Sequence, residues 1–251
     1  MELFGRRVPY TASLLVWAAL WELVGHTDAV LLLPPLSSVV LRIFEIVPTE
    51  TFREALALTA RAFVIGVGVS IVVGVPLGVV MGRVELVDRL ILPWVNLFVS
   101  APLTALVPVI MALFGFGETT IILTVILFTV WIVVLDARAG TRAISTSLIE
   151  MTRSYGATPW QALTKVYIWA ALPEILAGVR LGLVRAVKGV IIGQLLVSVV
   201  GFGHMFEIYQ SNFLMEHLWA LLLLLFVLAF LIDGLLGYLE KRVEYYAATR
   251  N

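Results

Sequence analysis

Residues Ala62 to Gly82 carry no charged side chain. A bilayer core about 30 Å thick takes roughly 20 apolar residues in one helix, so this stretch alone is long enough to cross. The pattern recurs along the chain. Leu90–Gly117 and Thr119–Leu135 are also uncharged, Val8–Gly25 carries only Glu22, and Leu218–Leu239 only Asp233. Ile175–Phe202 is apolar apart from Arg180, Arg185 and Lys188. Of the 251 residues, 61% are hydrophobic and 14% charged, against about 45–50% and 25% in soluble domains. One globular core cannot hide that excess, and in lipid a helix satisfies its own backbone polar groups. The expectation is an all-α polytopic membrane protein, one domain over residues 1–251. Its six spans are placed at about 8–25, 62–82, 93–114, 119–137, 175–200 and 218–239, the third starting at Pro93 because Pro93, Pro102 and Pro108 punctuate that run.

Composition removes several functions. There is no cysteine, hence no disulfide, thiolate metal site or cysteine nucleophile. The three histidines, His26, His204 and His217, are scattered, which leaves little for a metal cage. Net charge is zero, which argues against a nucleic-acid partner. No G-x-x-x-x-G-K-[ST] occurs, so the chain holds no phosphate-cradling loop of that kind. Arg6 and Arg7 before an apolar stretch resemble a signal peptide, but no small-x-small cleavage site follows, and the first span reads as a retained helix.

Orientation follows the distribution of Lys and Arg. With the N-terminus in the cytoplasm, the inner segments hold eleven of the seventeen: Arg6, Arg7, Arg83, Arg89, Arg138, Arg142, Arg153, Lys165, Lys241, Arg242 and Arg250. The outer segments hold only Arg42, Arg53 and Arg61, and the fifth span the other three. Both termini are expected inside, with residues 27–61 as an outer, periplasmic segment. Within it, Pro34 and Pro35 end the first approach, and Ser37 or Ser38 is expected to cap a short surface helix through Ile46.

The inner segment 138–173 is too long and too patterned to be a plain connection. Ile144, Leu148, Met151 and Tyr155 recur at helical spacing and share one face. Arg142, Glu150 and Arg153 fall elsewhere on that helix, and Gly156 ends it. Thr158-Pro159-Trp160-Gln161 then opens a second helix, with Thr158 as cap, Pro159 in the first turn and Gln161 reaching back. Two short helices should protrude on the cytoplasmic side. An apolar stripe with no span beside it points to docking of a cytosolic partner.

Glu150-Met151-Thr152-Arg153-Ser154-Tyr155-Gly156-Ala157, followed by Val166 and Pro173, resembles the EAA loop of ABC-importer permeases. Glu150 and Gly156 match that family's Glu and Gly, while Met151 and Thr152 replace its usual small residues. Leu33-Pro34-Pro35, the glycines 66, 68, 74 and 78, Pro102 with Pro108, Phe114-Gly115-Phe116-Gly117-Glu118 and Gly178-Val179-Arg180-Leu181 are similar to the nitrate/sulfonate/taurine branch. The resemblance implies a type I permease fold and a small anionic substrate, such as nitrate, a sulfonate, taurine or bicarbonate. Permeases that resemble this one also serve pyrimidine precursors, riboflavin or aromatic acids. It implies two cytosolic ATPase subunits holding ATP and magnesium, so no cofactor in this chain. A second permease copy and a periplasmic or lipoprotein substrate-binding protein complete the expected assembly in the lipid membrane. Leu148, Glu150, Met151, Arg153, Tyr155, Gly156 and Ala157 would then couple to the ATPase.

Two further groups stand out. Gly74 and Gly78 form a small-xxx-small step that lets another helix approach closely. Lys188 lies fifteen residues beyond Pro173, about 22 Å along a helix, near mid-membrane. A cation there costs roughly 2.5–3.5 kcal/mol on insertion scales, so its face should meet the protein interior or a watery path. Lys188, with Arg185 and Gln194 nearby, is the candidate for the translocation pathway or gate. The competing role is an internal strut. A membrane enzyme would need a paired acid and base at depth. An ion-coupled carrier would show carboxylates within the spans and internal repeats. Glu22 and Asp233 lie near span ends, and no repeat is visible.

Overall fold

The computed structural model describes the backbone of residues 2–3, 6–7, 10–27 and 32–248, and the side chains of 12–27 and 32–234. Residues 8 and 9 of the first expected span, and Arg250, lie outside the described residues, as do the side chains of Lys241 and Arg242. Apart from a two-residue antiparallel pairing of Glu2–Leu3 with Arg6–Arg7, the described elements are helices. They are α1 (Tyr10–His26), α2 (Leu36–Ile46), α3 (Glu50–Arg83), α4 (Glu85–Ser100), α5 (Val107–Phe114), α6 (Glu118–Arg142), α7 (Thr146–Ser154), α8 (Pro159–Ala162), α9 (Ile168–Ala170), α10 (Leu172–Val197), α11 (Gly201–Ser211) and α12 (Met215–Ala248).

Among the described residues, three helices are apolar and long enough to cross a membrane: α3, α6 and the Met215–Gly234 part of α12. Counting each of two bent helix pairs as one span brings the number to five. The 93–114 stretch is part of two helices, α4 and Leu103–Phe114, bent by 99° to one another. The physical reason is Pro102. It forces Ala101 before it into an extended conformation, φ −70° and ψ 149°. Pro93 stays inside α4, and Pro108 fits the first turn of α5, where a missing N–H costs nothing. The fifth span is bent too, with α10 and α11 meeting at 48° after Ser198 turns left-handed at φ 55°. From Ala12 to His26, α1 is a shorter apolar helix.

At 34 residues and 1.5 Å per residue, α3 is about 51 Å long, well beyond the hydrocarbon thickness. It starts twelve residues before the uncharged run, because Thr49 caps it by accepting a hydrogen bond from the Phe52 amide at 3.2 Å. Glu50 at its start and Arg83 at its end suit the helix dipole.

The core is a sandwich of α6 between α3 and α10. Ala62, Val67, Ile121, Val125, Ala186, Val190 and Val197 fill it. A Cβ at Gly74 would lie 3.0 Å from Val133, and one at Gly78 only 2.4 Å from the Val134 carbonyl oxygen. The two glycines therefore set the α3–α6 approach. Gly68 faces open space and is no part of that contact. Buried hydroxyls in these helices close on their own backbone: Ser70 donates to Gly66 O at 2.7 Å, Thr124 to Thr120 O at 2.8 Å and Thr141 to Ala137 O at 2.7 Å.

At the end of the bundle where α3 begins, α2 and α11 pack on α12 through Val39, Ile46, Phe202, Met205 and Leu221. The cap expected of Ser37 or Ser38 does not form. Pro35 precedes α2, and Ser37 instead donates its hydroxyl to Glu22 at 2.7 Å and its amide at 2.9 Å, tying α2 to α1. Arg42 donates to Glu216 and Glu45, both at 2.7 Å. Those hydrogen bonds hold its guanidinium above the usual arginine range. Arg61 and Glu118 pair through two parallel bonds, with Nε to Oε1 at 2.5 Å.

Candidate functional site

The opposite end of the bundle carries the 138–173 segment. Here α6 runs on to Arg142, and α7 starts at Thr146, two residues later than the expected Ile144. Ile144 therefore leaves the stripe and packs into the bundle beside Val79, Ala137, Ala171 and Ile175. Leu148 is half-buried, whereas Met151 is 47% and Tyr155 85% exposed. Glu150 and Arg153 are exposed as well. The outward face of α7 is thus apolar at its centre with charges at its rim.

The stop of α7 is a full Schellman motif. Gly156 has φ 69°, its amide donates to Arg153 O at 2.9 Å, and the Ala157 amide donates to Thr152 O at 3.3 Å. The second helix starts with the expected capping box: Gln161 N donates to Thr158 Oγ1 at 3.3 Å, and Thr158 N to Gln161 Oε1 at 2.9 Å. What periodicity does not reveal is the π-helical turn at Leu163–Tyr167 that joins α8 to α9. An inserted residue of this kind re-aims the side chains that follow.

A charge cluster fixes the stem of this segment. Asp88, 4% exposed, accepts from Arg138 Nη2 and Arg142 Nη2, each at 2.8 Å, and also from Arg138 Nε. It links the start of α4 to the last turns of α6, just ahead of α7. Sequence reasoning missed it. The partners are 50 and 54 residues apart, and their only signal is charge at span ends.

The candidate pathway residues separate. Lys188 is exposed, Arg185 is half-buried, and Gln194 is 1% exposed. Gln194 Nε2 donates to Thr59 Oγ1 at 2.6 Å, and its Oε1 accepts from the Phe202 amide at 2.8 Å. Both ends of the amide are used in joining α10, α3 and α11, so Gln194 is a strut at the α10–α11 bend, not a pathway-facing group as expected. The helix side holding Gly178, Gly182, Ala186, Gly189 and Gly193 packs on α6, which leaves Lys188 on the side this chain does not cover.

The family described as "Binding-protein-dependent transport system inner membrane component" matches residues 74–245. The taurine transport system permease protein TauC of Escherichia coli K12 is 27% identical over 238 residues, covering 92% of this chain and 86% of that protein. The glycine betaine/proline betaine permease ProW of the same organism is 35% identical over 152 residues, 60% of this chain and 41% of that one. The carnitine transport permease OpuCD of Listeria monocytogenes is 28% identical over 183 residues, 71% of this chain and 80% of that one. A chain of the inward-facing MetNI methionine ABC transporter shares the fold with a TM-score of 0.59 at 24% identity, over 82% of this chain and 96% of that one. Subunits of this kind act with an ATPase and a substrate-binding protein and are not themselves enzymes. The chain belongs to the binding-protein-dependent inner membrane components: it is a multi-pass permease subunit of an ABC importer.

Proposed function

We propose that this permease imports a small solute with an anionic group, of the taurine, sulfonate, nitrate or bicarbonate kind. The observation that carries the reading is Lys188, exposed on the uncovered side of α10 one turn from Arg185. A cation held at span depth meets either lipid, at high cost, or a polar path. The likeness to TauC over 92% of the chain supports the same class.

In this reading two permease copies face each other across the uncovered side of α10, with both termini cytoplasmic. Two ATPase subunits hold ATP and magnesium and grip the exposed stripe of α7, where Met151 and Tyr155 enter an apolar cleft and Glu150 pairs with a basic group. Leu148, Arg153 and Ala157 frame that contact as the counterpart of the EAA loop. ATPase closure moves α7, the Asp88 cluster passes the motion to α4 and α6, and the pathway alternates between outward- and inward-open. The solute arrives on a binding protein, and Lys188 with Arg185 attracts its anionic group.

The test is uptake into proteoliposomes containing the permease, its ATPase and its binding protein. Lys188→Met should lower transport of taurine or another sulfonate at least about tenfold, equivalent to about 1.4 kcal/mol. Assembly and basal ATP hydrolysis should stay within about twofold. Wild-type transport by that variant would overturn the assignment.

A further inference from the structure

We propose that the groove between the end of α3 and the α7–α8 hairpin binds the headgroup of an anionic phospholipid. The groove encloses about 670 Å³, with Arg83, Thr152, Arg153, Trp160, Leu163 and Tyr167 among its walls. Two guanidinium groups line it and no carboxylate does. Arg83 is the informative one. Its Nε and Nη2 are buried and make no hydrogen bond, and its guanidinium carbon stands 4.4 Å above the Tyr167 ring. The ring face steadies the charge but offers those two donors no acceptor. Buried donors without acceptors are costly, and a phosphate oxygen pair fits the planar fork of an arginine.

The position selects a lipid over a soluble anion. Arg83 is the last residue of a helix that passes through the apolar layer, so the groove opens at the level of the headgroups. Its remaining walls include Val80, Val84, Pro159 and Ala162. Val84 and Leu86 beside it are exposed and give an acyl chain an apolar track. Trp160 is 71% exposed, which suits a ring at the membrane–water boundary. Basic pockets between membrane helices at that depth take anionic headgroups.

The site is compatible with a docked ATPase. Ile149, Thr152 and Arg153 face the groove, while the outward stripe is Leu148, Met151 and Tyr155. On an α-helix the two sets stand about 120° apart. A lipid here would brace α7 from behind while the partner grips its front. The inference rests on the membrane-face position of Arg83 and not on the substrate reading, so either can fail alone.

The experiment uses the complete transporter in nanodiscs of phosphatidylcholine doped with phosphatidylglycerol and cardiolipin, followed by native mass spectrometry of the lipids retained after delipidating washes. Wild type should keep anionic lipid in preference to phosphatidylcholine. Arg83→Met should lower that retention at least about five-fold, the order expected for one basic group at a membrane surface, and Arg83→Lys should keep most of it. ATPase co-purification reports folding. If Arg83→Met fails to assemble, Arg83→Gln, which keeps a polar side chain without the charge, gives the same reading. Equal anionic-lipid retention by wild type and an assembled variant would overturn the proposal. So would displacement of the lipid by millimolar inorganic phosphate, which would make the ligand a soluble anion.

Discussion

Gln194 shows how one residue acquires a role that its position in the sequence does not announce. Set in an apolar span six residues beyond Lys188, it reads as part of a charged path. In the fold it lies where α10 bends, and the left-handed Ser198 brings the Phe202 amide back within 2.8 Å of its carbonyl oxygen. Gln194→Leu removes the acceptor for that buried amide and the donor to Thr59. The expected loss is about 1–3 kcal/mol of stability, read as a lower unfolding midpoint in detergent. Transport per folded molecule should be unchanged. A variant of wild-type stability with impaired transport would show that Gln194 faces the substrate after all. Asp88 makes the complementary point. A carboxylate nearly sealed from water survives because two arginines supply hydrogen bonds to both its oxygens, and losing one partner of such a group leaves the other charge uncompensated.

At the scale of elements, α7 is a nine-residue helix too short to be stable alone. Its form depends on its end. Gly156 at φ 69° supplies an amide that closes on Arg153 O, and proline can provide neither that φ nor that N–H. Gly156→Pro should therefore leave the spans inserted but displace α7 and α8 relative to each other. The expected outcome is ATP hydrolysis that no longer drives uptake, measured by both assays in the same proteoliposomes. Unchanged transport would remove α7 from the coupling role. The α3–α6 crossing is the rigid counterpart. With a Val134 carbonyl 2.4 Å from where a Gly78 Cβ would stand, these two helices lie in direct backbone contact.

For the molecule as a whole, the surface left uncovered is largely apolar. Val64, Val72, Leu113, Phe114, Phe226 and Phe230 are all exposed. Lipid can cover most of such a surface, but the side of α10 bearing Lys188 calls for something else. A second copy related by a two-fold axis would place α10 against α10 and enclose a path. The chain has no cysteine, which allows a clean test. Cysteines in place of the exposed Leu181 and Lys188 should crosslink copy to copy in native membranes. Crosslinks formed only to a different permease chain would replace the homodimer with a heterodimer.

Membrane residence, helical class, the stop of α7 and the start of α8 are legible without coordinates. Uncharged runs longer than a bilayer is thick, a glycine stop and a capping box are local facts, written within a few residues of one another. Which glycines pack is half legible: the spacing of Gly74 and Gly78 marks a close step, but only the packed helices show that Gly68 on the same helix has no neighbour within 4 Å. The bends are less legible still. Pro93, Pro102 and Pro108 look alike as letters, yet one is absorbed in a helix, one breaks it and one begins the next, because the outcome depends on whether the preceding residue can take an extended backbone. The bonds of Asp88 to Arg138 and Arg142, the Gln194–Thr59 bond and the Arg83–Tyr167 contact join residues 50 or more positions apart. Such pairings arise only once α6 is wedged between α3 and α10, since long-range proximity is a property of packing and leaves no period in the chain.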